Sequence, residues 1–203
     1  HNFVVAQAND TTQKISSHFQ LTGISQGHTS FPVLDQGGNT LMHEAESNKL
    51  SLTSTLFLGK QLWKNAAVYY NPEISGGQGL SQARGVAGFT NGETFRIGST
   101  EPVLYNARFF IQQHFNFDPQ HMITLEDGVN QVRQQVSDNR LTLSLGKISL
   151  ADYFDKNSFS HDTRSQFMNW SLMSNGAWDY PADTRGYTKG IVAEWYYYRW
   201  TFR

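Results

Sequence analysis

The segment NGAWDYPADTRGY, residues 175–187, brings Trp178, Asp179, Tyr180, Asp183 and Arg185 into one short stretch. Aromatic rings stack on apolar C–H faces, while carboxylates and a guanidinium bond hydroxyl groups. Together these side chains suit contact with a sugar. A second reading is structural: Asp179, Asp183 and Arg185 could pair with one another to pin an inward-folded turn, with Gly176 and Gly186 supplying permissive backbone angles. At the level of sequence both readings stand.

Other chemistry has less support. The glycine-rich SGGQGLSQARGVAG, residues 75–88, is not followed by Gly-Lys-Ser/Thr, so it reads as a flexible or inward-folded loop and not a phosphate cradle. The seven histidines are dispersed with no His-Glu-x-x-His spacing, and cysteine is absent. Neither a metal site nor a cofactor is expected, and no catalytic residue is assigned. Asp179 with Asp183, or Asp152 with Asp155, could flank a glycosidic bond at the roughly 5–9.5 Å that hydrolysis requires. A glycoside hydrolase is therefore the lesser alternative, and a soluble β-sandwich sugar-binding protein another.

The elements that must carry these residues are strands. In YNARFFIQQHFNF, residues 105–117, Tyr105, Ala107, Phe109, Ile111 and Phe115 share one parity, while Asn106, Arg108, Gln112 and His114 share the other. The same alternation sets Leu50, Leu52, Leu56 and Leu58 against Ser51, Thr53 and Thr55, and Leu141, Leu143 and Leu145 against Arg140, Thr142 and Ser144. It recurs around His18 and Gln20, around Glu73, and along Ile191 to Tyr197. Val129, Val132 and Val136 alone keep helical spacing, which predicts one short helix there.

The polar faces hold Gln, Asn, Thr, Ser and His in place of the Lys and Glu that bulk water favours, and aromatics gather at strand ends such as Trp195 to Trp200. That pattern fits strands with apolar side chains toward lipid and polar ones toward a water-filled lumen. Arg108 and Glu73 then face the lumen. Composition agrees: 203 residues, a net charge of -1 and 16% charged residues suit one large domain and give no reason to expect nucleic acid. No apolar run approaches the roughly 18 residues of a spanning helix, but spanning strands need only about 10 residues of alternating character.

Two longer motifs are more specific. GKISLADYFDKNSFSHDTRSQFMNW, residues 146–170, runs into the 175–187 segment and resembles the N-terminal part of the carbohydrate-selective porins of Gram-negative outer membranes. The likeness extends over about residues 50–195 and includes NPEISGGQGLS, GVAGFTNGE and LYNARFFIQQ. The matching positions are Gly146 and Lys147; Asp152, Phe154, Asp155 and Asn157; Asp162 and Arg164; Phe167, Asn169 and Trp170; and Asp179, Tyr180, Asp183, Arg185, Gly186 and Tyr187.

The resemblance implies an all-β protein, an antiparallel transmembrane β-barrel of about sixteen strands in relatives. It implies a passive channel in the outer membrane and not an enzyme, with small mono- or oligosaccharides and outer-membrane lipid as partners and a homo-oligomer compatible with it. Its constriction would use Glu73, Arg108, Arg164, Trp178, Asp179, Tyr180, Asp183 and Arg185. Roughly six to eight strands fit in this length, too few for a wide lumen. Residues 15–203 are therefore expected to be the N-terminal part of a longer, incomplete barrel. Residues 1–14, with Ala6-Gln7-Ala8, are expected to be a signal-peptide remnant and disordered N-terminus.

Overall fold

The computed structural model describes residues 14–94, 100–155, 157–160, 162–173 and 180–203. The expected signal-peptide remnant, apart from Lys14, lies outside them, as do Trp178 and Asp179. The described chain is mostly β. Its strands are β1 (Ile15–His28), β2 (Glu46–Trp63), β3 (Ala66–Gly77), β4 (Val103–Asn116), β5 (Met122–Leu125), β6 (Gln134–Ser137), β7 (Asn139–Ile148), β8 (Thr188–Tyr197) and β9 (Trp200–Phe202).

Seven of these form one antiparallel sheet in the order β1-β2-β3-β4-β7-β8-β9, and β5 pairs with β6 in a separate hairpin. Neighbours in sequence are neighbours in space except where that hairpin intervenes. Among the described residues β1 and β9 each pair with one strand, so the sheet is open. Its two ends differ. At one end Lys64-Asn65 joins β2 to β3, with Asn65 at φ 62°, and Tyr198-Arg199 joins β8 to β9, with Tyr198 at φ 51°. The long connections 29–45, 78–102 and 149–187 all leave the opposite end.

Burial inverts the usual order of a sheet in water. The polar parity is covered: Ser51, Thr53, Thr55, Asn71, Glu73, Ser75, Thr142, Ser144 and Glu194 are all buried. Ile15, Phe19, Leu21, Leu50, Leu52, Leu56, Phe109, Leu145, Ile191 and Trp195 are exposed on the other face. A contiguous apolar surface of that extent is an interaction surface and not an ordinary solvated one. The covered face is packed by connections: 149–187 contributes Leu150 and Tyr153, and 117–138 contributes Val132, to a core with Ala67, Tyr69, Phe110, Ile148 and Val192 from the strands. Tyr69 and Phe110 stack there with ring centroids 4.9 Å apart.

Two expectations need correction. Residues 129–136 form no helix: Gln134–Ser137 is a strand paired with β5, and the residues before it cross the covered face. The valine spacing reflects separate contacts, Val132 against the sheet and Val136 within the hairpin. The second concerns β4. Asn71 pairs with Arg108 but Pro72 pairs with Asn106, so a bulge at Ala107 reverses the alternation. Tyr105 consequently points to the covered face with Arg108, and Asn106 lies outside, where its Oδ1 accepts a 2.7 Å hydrogen bond from the Tyr70 hydroxyl. Pro72, which lacks an N–H, sits at the bulge as a sheet proline must.

Candidate functional site

The polar face of β2, β3 and β4 supplies one half of the site and the connections 78–94 and 149–187 supply the other. Glu73, 1% exposed, accepts from Thr55 Oγ1 at 2.5 Å and from the Tyr105 hydroxyl. Arg164 reaches it from the 149–187 connection. Its Nη2 lies 3.3 Å from Glu73 Oε2, its Nε 3.3 Å from Glu93 Oε2, and its Nη1 donates to Gln20 Oε1 at 3.0 Å and to Thr55 Oγ1 at 3.2 Å. Thr163 Oγ1 donates to Glu93 at 2.5 Å. One guanidinium thus ties together β1, β2, β3 and two connections, with both carboxylates and the cation removed from water. The planar fork of arginine suits this divergent arrangement, which the single ammonium of lysine cannot reproduce.

Arg108 forms a second ion pair. Its Nε and Nη2 donate to Asp152 Oδ2 and Oδ1, each at 2.7 Å. The guanidinium carbon also lies 5.2 Å from the centre of the Tyr187 ring. Lys147, from the end of β7, approaches the same ring at 5.6 Å and pairs with Asp183 at 3.1 Å. The Asp183 carboxylate is partly buried, which raises its pKa, but the backbone N–H of Tyr187, Lys147 and the backbone N–H of Arg185 outweigh this and hold it below the usual carboxylate range.

Arg185 does not pair with Asp183 through its side chain. Asp183 Oδ1 accepts from the backbone N–H groups of Arg185 and Tyr187 at 2.9 and 3.1 Å, closing the turn. The Arg185 side chain instead donates to Ser75 Oγ at 2.9 Å and lies 3.7 Å above the Tyr105 ring. The turn is therefore pinned to β3 and β4 by a hydrogen bond and a cation–π contact and not by a side-chain pair with Asp183, while the alternative partner Asp179 lies outside the described residues.

These groups surround a cavity of about 560 Å³ whose lining includes Glu73, Arg108, Arg164, Asp152, Tyr180 and Tyr187. Burial pushes the Tyr153 hydroxyl, also on the wall, up to about 12, so it stays protonated and can donate. Of the sequence-predicted residues, Glu73, Arg108, Arg164 and Tyr180 line the cavity, and Asp183 and Arg185 brace its edge. Trp178 and Asp179 lie outside the described residues. Sequence reasoning missed Glu93, which completes the Arg164 pair, and the inward position of Tyr105; Glu93 stood inside GVAGFTNGE, but nothing local marks it as a partner.

The covered polar face, the exposed apolar face and the charged pairs between them agree with one comparison. The family model described as carbohydrate-selective porin, OprB family, matches residues 44–201. The chain belongs to that family. No curated protein and no solved structure matches the chain significantly. Carbohydrate-selective porins are non-enzymatic channels of the bacterial outer membrane. Of the carboxylates weighed for hydrolysis, Asp152 is held by Arg108 and Asp183 by Lys147.

Proposed function

We propose that the chain forms part of the wall and the constriction of a closed outer-membrane β-barrel through which small mono- and oligosaccharides diffuse passively. The observation that carries the reading is the pairing of cations with carboxylates around the 560 Å³ cavity, beside Tyr180 and Tyr187. Ion pairing neutralises part of the wall's charge, with Arg164 shared by Glu73 and Glu93. The partly accessible Arg108–Asp152 pair and Tyr180 on the same wall match what a sugar presents: hydroxyls to bond and C–H faces to stack. Arg108, Arg164 and Glu73 set the polar wall, Arg185 and Asp183 hold the roof turn in place, and Trp178 and Asp179, which precede that turn in sequence, are the candidates for contact with the passing sugar.

The polar connections at the long-loop end face the cell exterior, as long loops do in bacterial barrels, and the tight turns face the periplasm. The test is liposome swelling with the full-length porin. Sugars should enter faster than polyols and amino acids of equal size, and sugar should reduce ion current through single channels. Equal entry rates for all solutes of one size would reduce the protein to a general pore.

A further inference from the structure

The connection 117–138 leaves the tight-turn end, where short links suffice, and yet turns inward. After the β5 strand, residues 126–133 run across the covered face and return as β6. Asp127 Oδ2 meets His18 Nε2 of β1 at 3.1 Å. Asn130 Oδ1 accepts from Asn71 Nδ2 of β3 at 2.9 Å, and the Val132 N–H donates to the Tyr69 hydroxyl at 3.2 Å. Val132 is 1% exposed. Its seat is prepared by Gly59 of β2, where a Cβ would stand 2.9 Å from Val132 Cγ2 and 3.0 Å from the Tyr69 ring. The returning end is tied as well: Ser137 donates its N–H to Asn116 Oδ1 at 2.9 Å, and its carbonyl accepts from Arg140 Nη1 at 3.0 Å.

A link that merely joined β4 to β7 would need none of these anchors. Irregular backbone is tolerated at this depth of a barrel only where it packs on protein or lines water, and this segment does both. Val129, Asn130 and Gln131 line the same cavity as Arg108 and Arg164, and Val132 packs in one cluster with Tyr153 and Leu150 of the 149–187 connection. Connections from the two ends of the sheet therefore meet at the cavity.

We propose that residues 126–133 form a strap that narrows the channel from the tight-turn end and sets the width of the exit from the sugar site. The inference rests on the channel reading above. Solutes leaving the cavity pass the edge of the strap, so Val129, Asn130 and Gln131 join the residues that determine which solutes go through. The strap is also removable by design. Leu125 pairs with Gln134, so a two-residue Asn-Gly turn in place of 126–133 closes the β5–β6 hairpin and deletes the crossing.

Single-channel recording of the full-length porin tests this. The shortened variant should raise open-channel conductance roughly twofold and weaken discrimination among sugars of increasing size, since pore width governs both. Asp127→Ala, which only frees the far anchor, should leave mean conductance near that of the parent and increase current noise. Parent channels that conduct, with a shortened variant that folds and conducts equally, would overturn the strap while leaving the channel reading intact. If the shortened chain does not fold, unchanged noise in Asp127→Ala overturns it. A parent protein that forms no channel would defeat the earlier reading instead.

Discussion

Arg108 and Asp152 meet through two parallel hydrogen bonds of 2.7 Å, although one belongs to β4 and the other to the connection 149–187. A bidentate pair fixes orientation as well as distance. It therefore positions the connection on the sheet and also places two opposite charges side by side on the cavity wall.

Removing either partner should expose the other's charge. Arg108→Ala leaves the Asp152 carboxylate, which favours cations, and Asp152→Ala leaves the guanidinium, which favours anions. Reversal potentials in a salt gradient should shift in opposite directions for the two variants. A shift of the same sign in both would show that the pair acts on conduction only through the shape of the loop.

Arg164 is a more costly residue to lose, because Glu73 and Glu93 are both buried around it. Arg164→Ala should destabilise the barrel by about 3–5 kcal/mol, the cost of leaving buried charge uncompensated. Arg164→Lys should recover only part of this, since one ammonium cannot serve both carboxylates together with Gln20 and Thr55. Thermal unfolding in detergent micelles gives the ranking; an unimpaired lysine variant would mean that charge alone matters.

The alternation of β1, β2, β7 and β8 was legible in the sequence because each position answers to one solvent or another, and a one-residue slip would put polar groups in hydrocarbon. Where the backbone broke that rule the sequence misled. Ala107 gave no sign of the bulge, although Pro72 opposite it carried a faint one, and Tyr105 was placed on the wrong face as a result. Arg164, Asp183 and Arg185 were recognisable as a group from their motifs. The pairing of Arg164 with Glu73 and Glu93 was not, since these lie 91 and 71 positions from Arg164 and only the folding of two connections over the sheet brings the three together.

The two faces can be separated chemically. Cysteines placed at Leu50, Leu52, Leu56, Phe109, Ile111 and Leu143 should resist water-soluble maleimides in the reconstituted full-length porin, whereas those at His18 and Gln112 should react. Tyr105→Cys belongs with the second group and Asn106→Cys with the outer face. The opposite order at 105 and 106 would remove the bulge from the account.

Asp183 gives the site a pH limit. Its carboxyl is held below the usual range by Tyr187, Lys147 and Arg185, so the anchoring it provides is present above the unfolded value of about 3.9 and fades as pH falls through the lower folded value. Open-channel conductance should be constant from neutral pH to about 4.5 and change only in stronger acid. Asp183→Asn keeps the acceptor for the two backbone N–H groups and loses the charge facing Lys147. It should cost at most about 1 kcal/mol, because the pair is partly solvated, and should flatten the acid response. An acid transition unaltered in Asp183→Asn would assign it to another carboxylate.

The turn that carries Arg185 holds a brace, and the sugar contact proposed for Trp178 is separable from it. Arg185 holds Ser75 and covers the Tyr105 ring, whose hydroxyl in turn bonds Glu73, so Arg185→Ala releases the turn from β3 and β4 together. That variant should alter conductance without sugar and lower heat stability, with a cation–π share of roughly 0.5–2 kcal/mol. Tyr105→Phe keeps the ring and should retain most of the brace while loosening Glu73. Trp178→Ala should behave differently: a stacking contact made only with a passing sugar is worth about 1 kcal/mol, so block of the ion current by sugar should weaken several-fold while conductance in its absence holds. Arg185→Ala with normal stability and conductance would deny the brace, and an unchanged sugar titration in Trp178→Ala would deny the contact.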